Sequence, residues 1–255
     1  MEVLLACRAM ITSAAILHYA ARAHCGSCRD CAARCSALCA TLDDSEIGAF
    51  ERALSTRYLS AGQTLVEQGD RRLNVYTVTG GMLRLSAGLA DGRRQISGFL
   101  LPGDYLGLAD DETHSQTAEA VTATSLCCFS VDEMDALMER FPKLKDRLYR
   151  MARTALRQAQ ANQLVLGRLT PLEKLASFLI VLSQRAGQSR PPDGPLRLPM
   201  PRTDIADFLG TTVETVSRSL SELKKRGLIR LDDPHTAHIV RADALADLAG
   251  IDAAH

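Results

Sequence analysis

The C-terminal part of the fold is decided by residues 203–229, which read TDIADFLGTTVETVSRSLSELKKRGLI. This pattern predicts a helix, a tight turn at Gly210 and a second helix. Thr203 is expected to cap the first helix, and Thr211 or Thr212 the second. Apolar residues recur at helical spacing and predict the face on which the two helices pack: Ile205, Ala206, Leu209, Val216, Leu220 and Leu223.

The residues after the second helix predict a β-hairpin. Two β-type runs, 228–231 and 238–240, flank turn residues at 232–234. A hairpin in this place is the wing of a winged helix-turn-helix. We therefore assign residues 168–255 to one C-terminal domain of that type.

The exposed face of the second helix carries side chains suited to reading DNA. If the apolar face packs inward, Glu214, Ser217 and Arg218 point outward. Arginine pairs well with guanine, and a carboxylate accepts from the amino group of cytosine. Thr212 and Lys224 are predicted to contact DNA as well. The same spacing would also suit an ordinary surface ion pair between Glu214 and Arg218.

The middle of the chain predicts a small antiparallel β-structure. Between residues 63 and 131, short β-type runs alternate with glycine turns, as is typical of a roll or barrel of the cupin or jelly-roll type. We assign residues 42–132 to this roll. The predicted fold class is therefore α+β: an N-terminal antiparallel β-roll, one long helix and a C-terminal winged helix-turn-helix.

A long helix is predicted over residues 133–167, with its start offset or kinked by Pro142. Apolar side chains recur along it at spacings of three and four residues. Such a stripe either packs on the core of the roll or forms a seam between two subunits. We favour the homodimer, with four residues as predicted dimer contacts: Leu148, Met151, Leu156 and Ala159.

The cysteines are concentrated near the N-terminus. Five of the eight lie within residues 25–39, namely Cys25, Cys28, Cys31, Cys35 and Cys39; Cys127 and Cys128 are adjacent, and Cys7 stands apart. Thiols clustered in this way in a cytoplasmic protein point to metal or redox chemistry more often than to structural disulfides. Strand alternation places Cys127 and Cys128 on opposite faces, so that only one of them could reach a metal bound there.

Bulk composition excludes several classes of protein. The 255 residues are 46% hydrophobic and 24% charged, as in ordinary globular proteins, and no segment has the roughly 20 uninterrupted apolar residues of a membrane span. We expect a cytoplasmic protein that does not enter the membrane. No nucleophile paired with a base, phosphate loop or carboxylate pair indicates an enzyme.

These motifs together resemble the cyclic-AMP receptor protein / FNR superfamily of transcription regulators, and within it the FNR branch of the FixK/FnrN type. Residues 213–218, VETVSR, match the recognition-helix pattern Glu-x-x-Ser-Arg. Further matches are GQTL at 62–65, GGMLR at 80–84, QISGFLLPGD at 95–104 and LGTT at 209–212. The resemblance implies base reading by Glu214, Ser217 and Arg218 at inverted TTGAT half-sites. It also implies RNA polymerase as a partner.

The resemblance also bears on the signal. In the cyclic-nucleotide branch a Gly-Glu pair and an Arg-Ser or Arg-Thr pair hold the nucleotide, whereas residues 107–118 contain no arginine. An anionic nucleotide would lack its main charge partner, so we expect no cyclic nucleotide in this cyclic-nucleotide-binding-like roll. The roll is interpreted as a scaffold.

The FNR branch implies a 4Fe–4S cluster with three N-terminal cysteine ligands and a fourth from the roll. Alignment on the helix signal at residues 42–47 makes Cys28, Cys31 and Cys39 the implied N-terminal ligands, and counting back from MDAL at 134–137 makes Cys127 the implied fourth. Because Cys25 and Cys35 are surplus, two other N-terminal sets remain open: Cys25, Cys28 and Cys35, or Cys25, Cys31 and Cys39. Cys128 is the alternative fourth ligand.

Two kinds of regulator follow from these alternatives. With a cluster, the protein would respond to oxygen, redox state or nitric oxide. Without one, it would be a constitutive regulator, or one controlled by zinc or by its thiols. The two kinds of regulator would differ in whether the cysteines of the N-terminal segment, residues 1–41, bind a cluster.

Overall fold

The computed structural model describes residues 27–88, 92, 94–186 and 194–250. The helices are α1 (Ile47–Ala53), α2 (Val131–Arg140), α3 (Pro142–Arg168), α4 (Pro171–Ala186), α5 (Arg202–Leu209), α6 (Val213–Lys225) and α7 (Ala242–Ala249). The strands are β1 (Ser55–Leu59), β2 (Thr64–Val66), β3 (Asn74–Gly80), β4 (Leu83–Gly88), β5 (Arg94–Leu100), β6 (Tyr105–Leu106), β7 (Thr117–Ala120), β8 (Thr124–Ser130), β9 (Leu196–Arg197), β10 (Ile229–Asp233) and β11 (Thr236–Ile239). Short 3₁₀ turns at Cys28–Asp30 and Leu38–Thr41 precede them.

The described chain divides into two compact units. The first comprises residues 27–87 and 98–154, and the second residues 88–97 and 155–250, apart from the positions that the structure does not describe. The prediction that Cys25 could be a ligand concerns a position outside the described residues. Within the described ranges, no helix combines the length and the apolar character needed to cross a bilayer.

The roll consists of two four-stranded antiparallel sheets, with strand orders β1-β8-β3-β6 and β2-β7-β4-β5. This confirms the predicted antiparallel roll. Sequence patterns missed β1 and β7. The side chains of β1 are largely exposed, and β7 reads TAEA, which lacks the β-branched and aromatic residues typical of strands apart from its threonine.

The first unit also contains a hydrophobic core that joins the N-terminal segment to the roll and to the helices after it. We call it the N-terminal core; its buried members are Ala37, Leu38, Cys39, Leu42, Ile47, Phe50, Val75, Tyr105, Phe129, Met134, Leu137, Phe141 and Leu144. Two smaller clusters, which include Val78 and Leu126 in one and Tyr76 and Cys128 in the other, fill the roll.

The predicted long helix is confirmed as α3, whose start is offset to Pro142 as the sequence allowed, and the residues before it form a separate helix, α2. Helix α2 begins at a capping box in which the Ser130 hydroxyl accepts from the Glu133 N–H and the Glu133 side chain returns to the Ser130 N–H. At Phe141 the backbone leaves the helical region, with φ −126° and ψ 82°. Pro142 then begins α3, where its missing N–H costs no hydrogen bond.

The second unit contains the predicted winged helix-turn-helix. Helices α5 and α6 form the helix-turn-helix, and the wing is a three-stranded sheet with order β10-β11-β9. The predicted cap by Thr203 is wrong: the N-cap is Pro201, two residues earlier, and α5 begins at Arg202, so that Thr203 lies inside the helix. The predicted cap by Thr212 is confirmed.

Candidate functional site

Helix α6 is held by local features at its start. Gly210 ends α5 in the left-handed region, with φ 59° and ψ 48°, which a residue without a Cβ adopts easily. The Thr212 hydroxyl then accepts from the Thr215 N–H at 3.2 Å and caps α6. The six residues predicted to form the packing face are all buried: Ile205, Ala206, Leu209, Val216, Leu220 and Leu223. The opposite face of α6 is thereby fixed outward.

The predicted base-reading residues lie on this outward face. Glu214 and Arg218 are exposed, and Ser217 is half-buried with its hydroxyl accepting from Arg202 Nη1 at 2.9 Å. In the described structure the Glu214 and Arg218 side chains do not pair with each other. Arg218 Nε donates to the main-chain oxygen of Glu214 at 3.4 Å. The ion-pair alternative is therefore not what the fold adopts.

Glu214 is set up as a hydrogen-bond acceptor. A hydrogen bond from its own backbone N–H, then one from Thr212 and the nearby charge of Arg218, lower the pKa of the Glu214 carboxyl. The group is therefore ionised at neutral pH, as needed to accept from a base amine. Arg202 was not singled out from the sequence, although it positions Ser217.

The cations near the end of α6 are not equivalent. Arg226 Nε donates to Glu222 at 2.8 Å, and Arg230 Nε donates to Asp232 at 3.1 Å. Among the residues that the structure describes, no ion pair involves Arg218, Lys224 or Lys225. These three exposed cations are the ones that phosphate oxygens could contact without displacing a carboxylate.

The cysteine segment, which we define as residues 27–42, is bound closely to the roll. Ala33, Ala37 and Leu38 are buried in the first unit. Gly103 lies against this segment, with φ +99°, and a Cβ there would be 2.1 Å from Ser36 Oγ. The Ser36 hydroxyl also donates to the carbonyl of Pro102 at 3.4 Å. A side chain larger than hydrogen at position 103 would therefore displace the segment.

The cysteines differ in state and exposure. Cys28, Cys31, Cys39, Cys127 and Cys128 are thiols. Cys35 is exposed and lies in a disulfide, so that in this state it offers no thiolate to a metal. The described N-terminal thiols are therefore the three that the resemblance implied as ligands. Of the described residues, no three histidine, cysteine, aspartate or glutamate side chains already form a metal-binding group. Ligands would have to come together on binding.

Cys127 and Cys128 point in opposite directions, as predicted. Cys127 packs against the N-terminal core, where Cys28 also packs and Cys39 is buried. Cys128 belongs to a cluster inside the roll with Tyr76. Strand parity thus turns Cys127, and not Cys128, toward the cysteine segment.

Ionisation of the Cys28 thiol is unfavourable in the protein without a bound metal. Burial, followed by the negative charges of Glu51, Cys39 and Cys31, raises the pKa of the Cys28 thiol from 9.0 to about 12. The thiol is therefore protonated at neutral pH. A bound cation would have to offset this cost, so that metal binding would release the proton.

Two buried donors near these cysteines have no hydrogen-bond partner among the described residues: Thr77 Oγ1 and Arg147 Nε. Thr77 on β3 is directly opposite Cys127 on β8 in the antiparallel register, and paired residues share a face. Arg147 on α3 reaches the segment through Nη2, which donates to the Ser36 carbonyl at 2.7 Å. Buried donors are rarely left unpaired, so this region lacks an acceptor. Local sequence gave no signal for either residue.

The four predicted dimer contacts fall into two groups. Leu148 and Met151 are half-buried and pack against the N-terminal core. Leu156 and Ala159 are exposed, as are two further apolar residues of α3, Tyr149 and Leu164. The first part of the stripe therefore packs on its own unit and the remainder is left uncovered, and its role as a dimer seam stays a prediction.

In the roll segment that corresponds to the nucleotide-binding region, hydrogen bonds hold the carboxylate of Asp110 in place. Asp110 accepts from the backbone N–H and hydroxyl of Ser115, at 2.9 and 2.6 Å, and contacts His114 Nδ1 at 2.9 Å. His114 is buried. An acidic side chain fixed at this point disfavours the phosphate of a nucleotide.

Two family models match the chain. Residues 56–141 match a cyclic nucleotide-binding domain, and residues 173–248 match a Crp-like helix-turn-helix domain. The first covers most of the roll, and the second covers the winged helix-turn-helix.

Curated relatives and a solved structure agree with these models. The chain is 39% identical to the nitrogen fixation regulation protein FixK of Bradyrhizobium diazoefficiens, over 80% of this chain and 86% of that protein. It is 36% identical to the transcriptional activator protein FnrL of Cereibacter sphaeroides, over 88% and 92%. The structure of FixK2 from Bradyrhizobium japonicum matches with a TM-score of 0.72 and 32% identity, over 79% of this chain and 99% of that one. The chain therefore belongs to the cyclic-AMP receptor protein / FNR family of DNA-binding transcription regulators, which are not enzymes.

Proposed function

We propose that this DNA-binding regulator responds to oxygen or redox state, including nitric oxide, through a 4Fe–4S cluster and binds inverted TTGAT half-sites as a homodimer. The proposed ligands are Cys28, Cys31, Cys39 and Cys127. Relatives with similar sequences include proteins named as transcriptional activators, and we extend that role, with RNA polymerase as partner, to this chain.

One observation carries the proposal: thiols from two distant parts of the chain meet the same core beside buried donors that lack an acceptor. Cys28 and Cys39 come from the cysteine segment, and Cys127 from β8. The Thr77 hydroxyl and the Arg147 Nε–H have no acceptor among the described residues, and Arg147 Nη2 binds the Ser36 carbonyl of the cysteine segment. Thiolate and sulfide are acceptors, so a thiolate-bound cluster would supply what both donors lack.

When bound, the cluster supplies a centre that oxygen and nitric oxide degrade. The chain's own residues would hold it and report on it. Cys127 fixes one side on the roll, and the other three ligands lie in a segment that also contacts α3 through Arg147. Loss of the ligand bonds would free the segment from the roll. Dimerisation through α3, and therefore DNA binding, would weaken.

The decisive experiment is anaerobic purification of the full chain with iron, sulfide and zinc assays and a visible spectrum before and after air. We expect about four irons and four sulfides per chain. The brown colour should bleach in air. Stoichiometric zinc would instead support a structural metal site, and a metal-free protein would support control by thiols or constitutive activity.

Thr77→Val tests the acceptor argument. Valine matches threonine in shape and removes a hydroxyl that has no partner, so the protein without a cluster should be as stable as wild type or up to about 1 kcal/mol more stable. The loaded form loses a donor, so its colour should fade faster in air. Thermal unfolding of the apoprotein and bleaching of the loaded protein measure the two effects. A clear loss of apoprotein stability would show that the hydroxyl already has a partner.

Leu156→Glu tests the dimer. Leu156 is 61% exposed in one chain, and in a two-fold dimer the substitution would place two carboxylates at one seam. We expect the dimer dissociation constant to rise by at least about tenfold, equivalent to roughly 1.4 kcal/mol. Sedimentation of the loaded protein under nitrogen measures it. Gln158→Glu, an exposed position on the other side of α3, is the matched control. Equal effects of the two substitutions would argue against this seam.

A further inference from the structure

Arg147 links the cysteine segment to the helix that carries the uncovered stripe. It lies in the second turn of α3, and its Nη2 donates to the Ser36 carbonyl at 2.7 Å. Ser36 lies between Cys31 and Cys39. Leu156 is nine residues further along and therefore on the opposite side of α3. Arg147 and the exposed apolar residue Leu156 thus belong to the same helix.

The environment of Arg147 is unlike that of the other cation that joins α3 to this region. Lys143 pairs with Glu46 and, at 3.6 Å, with Asp43, but these groups are partly or largely exposed, and such surface pairs contribute little. Arg147 is half-buried, and its Nε is fully buried without a partner. A guanidinium has five N–H donors in a fixed plane, so the bond to Ser36 leaves it undersatisfied.

The missing partner must be an acceptor, and a negatively charged one fits best. Guanidinium groups bind anions through parallel N–H bonds, and a buried cation without a counter-charge is costly. The described neighbour with suitable chemistry is Cys39, whose thiolate charge would act on Arg147. A thiolate-ligated cluster would place negative charge at this point.

We infer that Arg147 is a positioning residue whose guanidinium provides the counter-charge for the thiolate-ligated cluster and couples the presence of the cluster to α3. The inference rests on the proposed function. With the cluster present, Arg147 binds both its charge and the Ser36 carbonyl, which fixes α3 against the cysteine segment. Without the cluster the cation has no counter-charge in a half-buried site, and the contact is weakened.

The test compares dimerisation with and without the cluster. Wild type, Arg147→Met, Arg147→Gln and Arg147→Lys are purified under nitrogen, assayed for iron, and sedimented before and after cluster loss in air. Lys145→Met is the matched control. Lys145 is an exposed cation on the same helix, and its substitution by methionine removes the same charge as Arg147→Met. Circular dichroism checks that each variant folds.

We expect loss of the cluster to raise the dimer dissociation constant of wild type and Lys145→Met by about tenfold or more. In Arg147→Met and Arg147→Gln the change should fall below about threefold. The iron of both variants should also be lost faster in air. Arg147→Lys, which keeps the charge, should restore most of the coupling. If Arg147→Met fails to fold, Arg147→Gln decides, since it keeps a donor for Ser36 and loses only the charge.

The outcomes separate the two proposals. Iron in the wild type with full coupling in Arg147→Gln would overturn the role of Arg147 and leave the cluster in place. A wild type without iron would overturn the proposed function and this inference with it. Loss of coupling in Lys145→Met as well would also overturn the inference, because the effect would then be one of overall charge.

Discussion

Arg218→Ala is expected to remove sequence-specific DNA binding and to leave weak, nonspecific binding. Arg218 is exposed on α6, with no carboxylate paired to it among the described residues. A bidentate arginine–guanine contact contributes about 1–3 kcal/mol of discrimination, and a dimer on two half-sites loses it twice. The affinity for an inverted TTGAT repeat should fall by roughly 30-fold to 10⁴-fold. Fluorescence anisotropy with this duplex and a shuffled duplex measures the change.

Arg226→Ala is the matched control for Arg218→Ala. It is the same substitution one residue beyond the end of α6, but Arg226 pairs with Glu222. Arg226→Ala should therefore change the affinity for the two duplexes only slightly and by the same factor. If Arg218→Ala kept the wild-type ratio between the two duplexes, base reading by α6 would be wrong. The DNA would then be read by another element.

Cys127→Ala is expected to abolish the cluster, whereas Cys128→Ala should keep it. The two positions are adjacent, and the substitution is the same. Of the two, only Cys127 packs on the N-terminal core, as Cys28 and Cys39 do; Cys128 is enclosed in the roll. Iron should fall from about four per chain to less than about one in Cys127→Ala. The air-sensitive visible absorbance should disappear with it.

The reverse pattern, with iron lost in Cys128→Ala and kept in Cys127→Ala, would mean that the fourth ligand comes from inside the roll. That result would contradict the register of β8 against β3, which turns Cys127 toward the cysteine segment. Because alanine is small and apolar, either variant should fold, and thermal unfolding checks this point. Loss of iron in both variants with normal unfolding would also contradict the assignment.

The winged helix-turn-helix was predictable because its signals are local. The spacing of Ile205, Leu209 and Val216, the glycine turn and the cap at Thr212 are all read within a few residues. The cap predicted at Thr203 is two residues from the observed N-cap at Pro201, an error of the size expected for helix ends. The opposite orientation of Cys127 and Cys128 in β8 was predictable for the same reason, because side chains alternate between the two faces of any strand.

The rest depended on contacts between distant residues. Pro142 indicated the offset of the long helix, but Phe141 fits the apolar spacing of a continuous helix, so the sequence did not show α2 as a separate helix. The bond between Arg147 and Ser36 joins residues 111 positions apart. The facing of Thr77 and Cys127 depends on strand register. No periodicity in the sequence encodes these pairings.

The break at Phe141 has a mechanical consequence. Helix α2 is fixed at its start by the capping box, and α3 begins as a separate helix at Pro142. From Arg147 to Leu164 is 17 residues, or about 25 Å of helix at 1.5 Å per residue. Each degree of tilt about Arg147 would move Leu164 by about 0.4 Å. A tilt of α3 too small to disturb the roll would thus displace the far end of the helix by a distance comparable to the size of a side chain.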